Sequence, residues 1–227
     1  MKLTENILST KYYFNNKENY ILEDHIYIDN KPVMNTKDII IKGTHNYENI
    51  LVTYLLAKVL DIDFLYVNEV LKEFKGVEHR IEFVRELNGV KYYNDSIGTS
   101  PASTMAGLNA FDENIILLAG GSDKGLDYKE IGETIARKVG TLILTGPTSE
   151  KIENATRIAL DEMNEGKDKR DIEIIHTSNL EESVKMAKIS AKPGDIVLLS
   201  PASASFDAFK NFMERGQKFK DFVNELK

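Results

Sequence analysis

From about Gly76 to the end of the chain, short apolar runs alternate with amphipathic stretches at helical spacing, a pattern that few folds satisfy. "NIILLAGG" (114–121), "TLILTG" (141–146), "DIEIIHT" (171–177) and "DIVLLSPASAS" (195–205) read as strands. Between and after them, "DYKEIGETIARKV", "SEKIENATRIALDEM", "NLEESVKMAKISA" and the closing "FDAFKNFMERGQKFKDFVNELK" (206–227) read as helices. Strands this uniformly apolar are covered on both faces. Strands that alternate with helices pair in parallel, so the predicted fold is α/β, a mostly parallel sheet with helices on both faces like a dinucleotide fold. Ahead of it, "RIEFVREL" and "VKYYND" meet at Asn88-Gly89, a strong hairpin signal.

Before Gly76 the texture differs. "HIYID" (25–29) alternates, "NKP" (30–32) reads as a turn and "DIII" (38–41) as a short buried strand. A helix follows, with Thr44 or Asn46 as its cap and Ile50, Leu51, Tyr54, Leu55 and Leu56 on its apolar face. A second helix after Asp63 carries Val67, Val70, Leu71 and Phe74, and Gly76 is its expected C-cap. These pieces make a poor independent core. They read as the end of a domain that begins elsewhere, and the predicted division is 1–77 and 78–227.

Composition narrows the partners. The net charge is −7 with no strong basic cluster, and Lys167–Arg170 is interleaved with acids as in a solvated loop. A nucleic-acid partner is not expected. There is no cysteine, so neither a disulfide framework nor a thiolate metal site is possible. No apolar run is long enough to span a membrane, and "MKLTENILST" lacks a secretory core, so the expected location is the cytoplasm. No Ser/His/Asp order or metal-ligand spacing stands out, and His25, His45, His79 and His176 lie in different segments.

In open α/β sheets, ligands bind beyond the carboxyl ends of the strands. Three loops of small polar residues fall there: "NDSIGTSP" (94–101), "GGSDKG" (120–125) and "SPASASFD" (200–207). The second lacks the Walker A spacing. Its Lys124, taken alone, is a surface lysine first and a carboxylate or phosphate anchor second. The third precedes the closing helix, so it is either an anion site at a helix N-terminus or a cap by Ser205 or Asp207. The row Phe206, Phe209, Phe212, Phe219 and Phe222 reads as core.

Taken together, "GTHNYENI" (43–50), "FKGVEHRIEFV" (74–84), "GVKYYNDSIGTSP" (89–101), "LLAGGSDKGLDY" (117–128) and "VLLSPASASFDAFKNFMERGQKF" (197–219) resemble the Mur ligase family. Within it they are most similar to members that add D-glutamate to UDP-N-acetylmuramoyl-L-alanine for peptidoglycan. The resemblance covers the end of a central ATP-binding α/β domain (1–77) and a C-terminal amino-acid-binding domain (78–227). It implies an ATP- and Mg²⁺-dependent amide synthesis through an acyl phosphate. No Gly-x-x-Gly-Lys-Thr phosphate loop occurs in the chain, so alone it is expected to be inactive, with no cofactor tightly bound and no metal ligand or catalytic residue of its own. By the resemblance, Asn46 and Asn49 lie by the adenine. Arg80 and Asp95 reach the nucleotide, Asp95 at the ribose hydroxyls. Thr99 and Lys124 hold one D-glutamate carboxylate, Ser205 with the backbone of Phe206 holds the other, and Phe212 walls the pocket. Ile97 stands where the family commonly has lysine, and Ser100 where it has asparagine; Ile97 receives no role. The alternatives are a related ligase for another amino acid, including folylpolyglutamate-type enzymes, and a nucleotide-fold binding module without chemistry.

Overall fold

The computed structural model describes residues 11–41, 44–164 and 171–227. Lys167–Arg170 and the residue preceding the first helix lie outside them. The chain forms two compact units, Met1–Lys75 and Gly76–Lys227, with separate sheets.

In the first unit, β1 (Tyr20–Leu22), β2 (His25–Ile28) and β3 (Lys31–Asn35) form an antiparallel meander. The β2–β3 turn is at Asp29-Asn30, both with positive φ, one residue earlier than "NKP" suggests. "DIII" is not a strand. Asn35 caps a short 3-10 turn, Thr36–Asp38, and beyond it Ile39 is buried while Ile40 is exposed. Helix α1 (Thr44–Val59) starts at Thr44, so Asn46 lies within it and does not cap it. Ile50, Leu51, Tyr54 and Leu55 pack with Ile26, Ile28 and Met34, whereas Leu56 faces solvent. Asp63 caps α2 (Phe64–Glu73) through Leu65 N. Leu71 is buried, but Val70 and Phe74 are exposed. The C-cap is Phe74, not Gly76, which bends the chain two residues later at φ 99°.

The second unit carries the predicted sheet, in order β4-β5-β9-β6-β7-β8. Its strands are β4 (Glu82–Leu87), β5 (Val90–Asn94), β6 (Ile115–Ala119), β7 (Val139–Leu144), β8 (Glu173–His176) and β9 (Ile196–Leu199). Only β4 is antiparallel, joined to β5 by Asn88 (φ 53°) and Gly89 (φ 78°), the two positive φ values of a tight hairpin turn. Register explains the two cores. Tyr93, Leu198, Leu117 and Leu142 form one row across the sheet and point to one face. There they meet α3 (Pro101–Leu108), α4 (Lys129–Lys138) and α5 (Ser149–Asn164) through Leu108, Ile131, Ile135 and Ile152. Tyr92, Val197 and Ile116 are one residue out of phase and face α6 (Leu180–Ser190) and α7 (Phe212–Glu225) through Val184, Phe219 and Val223. The connection α6 brings β9 back between β5 and β6, so their carboxyl ends lie side by side.

One expectation fails here. The closing helix does not begin at Phe206. Residues 206–211 are turns, and Asn211 caps α7 by accepting from Glu214 N, while Glu214 accepts from Lys210 N at 2.7 Å. Neither Ser205 nor Asp207 is the cap. Asn211 accepts from Glu214 N while Glu214 reaches back one residue beyond the cap to Lys210 N, a variant of the capping box that fixes the helix start at Asn211 and not at the earlier serine.

Candidate functional site

The loops after β5, β6 and β9 are tied to one another by buried hydrogen bonds. The Ala204 carbonyl accepts from Ser122 N at 2.9 Å and from Arg215 Nη1 at 3.1 Å. Arg215 also donates from Nη1 to Ser203 O (3.1 Å), from Nη2 to Ser96 O (2.9 Å) and from Nε to Ser96 Oγ (3.0 Å). One guanidinium on α7 therefore joins the loop after β5 to the loop after β9, and Ser122 brings in the loop after β6. Ser122 Oγ donates to Asp207 Oδ1 at 3.0 Å, a second tie between those two loops. Behind them, Ser203 Oγ sits between Tyr128 OH (3.1 Å) and Thr148 Oγ1 (2.8 Å).

Arg215 is 4% exposed, and its four partners are carbonyls and a hydroxyl. Burial pulls its pKa down to about 10 against the opposing pull of Asp207. A buried charge held by neutral acceptors costs desolvation free energy that only a rigid, fully satisfied network offsets. Sequence reading missed this residue, although α7 offered a signal: Arg215 falls three residues after Phe212 and four before Phe219, on the apolar face.

Asp95 is also deep, 4% exposed. Its Oδ2 accepts from Ser200 Oγ at 2.6 Å and its Oδ1 from Ile81 N at 3.3 Å. Ser200 Oγ lies 3.0 Å from Thr104 Oγ1, which accepts from Ala202 N. Gly98 and Gly107 leave the space the carboxylate fills: a Cβ on either would come within 2.7 or 3.0 Å of Oδ2. Burial raises the Asp95 pKa to about 6, while Ser200, Ile81 N and Arg80 pull the other way. Burial likewise lowers the pKa of His79, whose ring meets Phe212 edge-on at 6.1 Å.

The residues read from the sequence fall as follows. Thr99 is half-buried, directly before Ser100, which caps α3 with Pro101 in its first turn. That cap answers why β5 runs into small polar residues. Lys124 is exposed at the tip of a turn in which Asp123 accepts from Gly125 N and pairs with Lys151. Ser205 is buried, Phe206 is 71% exposed, and Phe212 is half-buried with its carbonyl accepting from Ser96 Oγ. Arg80 is exposed beside Asp95. Thr99, Lys124, Ser205 and Phe206 thus sit on the three tied loops. Asn46, half-buried, and Asn49, exposed, stand on α1 of the other unit. A cavity of about 360 Å³ opens at the carboxyl ends of β6, β7 and β9, lined by Gly120, Gly121, Gly146, Asp207 and Arg215 among others. None of the residues assigned to the amino acid lines it.

Glu78, His79 and Glu82 are, among the described residues, close enough to share an ion. The Lys220 ammonium already sits 2.5 Å from Glu78 and 3.1 Å from Glu82. Glu82 Oε2 accepts from His79 N and Asn94 Nδ2. This group does not fit Mg²⁺, which demands open oxygen ligands in octahedral array. No helix of the described residues is long and apolar enough to cross a membrane.

Residues 79–203 match the family model described as "Mur ligase, glutamate ligase domain". A UDP-N-acetylmuramoylalanine–D-glutamate ligase of Acetivibrio thermocellus is 50% identical over 195 residues, covering 86% of this chain and 41% of the relative. The chain spans 39–46% of the length of the first four such curated relatives. Among solved structures, a pseudomurein peptide ligase type C from Methanothermus fervidus shares the fold at TM-score 0.62 and 17% identity, covering 92% of this chain and 41% of that one. A MurF ligase from Thermotoga maritima in complex with ADP does so at TM-score 0.53 and 18% identity, covering 81% and 39%. On the extent of the family match, the chain belongs to the Mur ligase family.

Proposed function

We propose that this chain is the amino-acid-receiving part of a cytoplasmic, ATP-dependent ligase that joins D-glutamate to UDP-N-acetylmuramoyl-L-alanine, with residues 1–77 the end of its ATP-binding domain. The observation that carries the reading is the junction at Ala204, which holds the loops of Thr99, Lys124 and Ser205 in one fixed arrangement. Thr99 and Lys124 take one carboxylate of D-glutamate. Ser205 Oγ and Phe206 N take the other, and Phe212 closes the side. With both carboxylates held, the amine is the free end, aimed at an activated acyl group. Positioning of this kind lowers a barrier without any group of the chain entering the bond change.

Asn46, Asn49, Arg80 and Asp95 are the nucleotide contacts in this proposal. The likeness in fold to a MurF ligase in complex with ADP supports a nucleotide here. The chain has no Gly-x-x-Gly-Lys-Thr loop. Since Glu78, His79 and Glu82 do not fit Mg²⁺, the metal such a ligase uses is held by other residues. ATP, Mg²⁺, UDP-N-acetylmuramoyl-L-alanine and D-glutamate added to the chain alone should release no phosphate above background.

The direct test is titration of the chain with D-glutamate by NMR. Binding in the range of about 1 mM, on the order of −4 kcal/mol, is expected, because the loops are open to water. Shifts should concentrate at 98–100, 120–125 and 204–206, with L-glutamate weaker. Lys124→Ala should weaken binding roughly tenfold to a hundredfold, the worth of a charge-assisted hydrogen bond of about 1.5–3 kcal/mol. Shifts confined to other surfaces, or unchanged affinity in the Lys124 variant, would sink the assignment.

A further inference from the structure

Arg215 contacts no ligand in the scheme above, yet its guanidinium is nearly buried and makes four hydrogen bonds. Its partners on the two carboxylate-binding loops stand beside assigned residues. Ser96 lies three residues before Thr99, and Ser203 and Ala204 directly precede Ser205. The guanidinium is planar and donates along several fixed directions at once, which a lysine ammonium on a flexible stem cannot reproduce. The same Ala204 carbonyl receives Ser122 N, from the loop that carries Lys124. The separation between the two carboxylate sites is therefore fixed through one buried side chain that, in this scheme, touches neither carboxylate.

We propose that Arg215 is a positioning residue that sets the length of the dicarboxylate the site accepts. The proposal rests on the D-glutamate reading above and adds what selects that chain length. D-Aspartate is one methylene shorter and D-2-aminoadipate one longer. Either can satisfy one carboxylate subsite, but both subsites only if the loops shift. Arg215 resists that shift, because moving one loop relative to the other breaks hydrogen bonds at 2.9–3.1 Å to a nearly buried guanidinium. Breaking them takes acceptors from a charge that is only 4% exposed, so the cost falls on the misfitting ligand.

The test compares affinities of the 227-residue chain for D-glutamate, D-aspartate and D-2-aminoadipate by NMR titration, in wild type and in Arg215→Lys. A methylene in a specific site discriminates by roughly 10–200-fold, so wild type should prefer D-glutamate by about tenfold or more. Arg215→Lys keeps the charge but not the span, and the preference should fall below about threefold. A merely structural role would weaken all three ligands alike and leave the ratios unchanged, which would overturn the proposal. Should the lysine variant not fold, Ser96→Ala removes one acceptor of Arg215 while keeping the arginine. The ratio should then fall in the same direction, and an unchanged ratio refutes the inference. A wild-type chain blind to D-glutamate overturns the functional reading first and this inference with it, whereas wild-type binding with an unaltered preference in the variants overturns this inference alone.

Discussion

Gly120→Ala is expected to destabilise the second unit by about 4 kcal/mol and to displace the Lys124 loop. Two costs add. Gly120 has φ 110°, a backbone conformation that an L side chain adopts only with strain of roughly 1–3 kcal/mol. A Cβ there would also overlap the Thr145 carbonyl oxygen, backbone that cannot swing aside as a flexible side chain would. Overpacking of this kind costs about 1–3 kcal/mol more. The clash lies between the loops after β6 and β7, where Thr145 N donates to Ala119 O and Gly120 N to Pro201 O at 2.9 Å. Relief requires the β6 loop to lift, which breaks the Gly120–Pro201 bond and strains Ser122 against Ala204. Thermal unfolding followed by circular dichroism should show the second unit melting about 8–16 °C lower, at roughly 2–4 °C per kcal/mol for a unit of this size. Gly125→Ala is the control. It too has positive φ (70°), but an added Cβ there has no heavy atom within 4 Å. A melting temperature for Gly120→Ala within a degree or two of that control would mean that the close approach to Thr145 is not a constraint.

The sheet was legible because its inner strands β6, β7 and β9 are apolar on both faces and the helices after them carry a 3.6 period. That double signal leaves little else for residues 90–227 to form. The hairpin at Asn88-Gly89 was legible because two consecutive positive φ values demand such a pair. The first unit was harder. Leu56, Val70 and Phe74 have the spacing of buried residues but are exposed, since periodicity tells which residues share a face and not whether that face is covered. The start of α7 was misread because "SASFDAF" contains good capping residues. The decision between them and Asn211 depended on Glu214 reaching back, a choice the helical pattern does not encode. The site was legible as loops and not as a network. "NDS", "GGSDKG" and "SPASAS" announce themselves by small polar residues after apolar strands. Arg215 does not, because a charged residue in a helix is ordinarily read as solvated. That Asp95 would turn inward to Ser200, in space left by Gly98 and Gly107, depends on residues 105 and 12 positions away in sequence, which no local pattern joins.

Asp95 gives the second large effect, and its sign runs against intuition for a carboxylate. Burial holds its pKa near about 6, above the ordinary 3.8. The folded chain thus keeps a proton on Asp95 through a range in which the unfolded chain has released it. Its contribution to stability is full below pH 3.8, declines as pH rises through the window to about 6, and is lost above it. The ionised carboxylate at neutral pH costs about 3 kcal/mol relative to a neutral group in its place. The side-chain amide introduced by Asp95→Asn would keep an oxygen for Ile81 N and present an N–H to Ser200 Oγ. Ser200 could then donate to Thr104 Oγ1, 3.0 Å away. The variant should match wild type near pH 3 and exceed it by up to about 3 kcal/mol at pH 7.5, with the gap opening between pH 4 and 6. Carboxylates with lowered pKa, such as Glu78, Asp123 and Glu153, gain stability with rising pH in an overlapping range. The informative quantity is therefore the difference between variant and wild type in urea unfolding across pH, in which those contributions cancel. A difference that stays flat from pH 3 to 7.5 would mean that Asp95 ionises in the folded chain as freely as in the unfolded one. A difference that opens as expected, together with weaker nucleotide binding in the intact ligase, would identify the carboxylate as a group kept against stability for its work at the site.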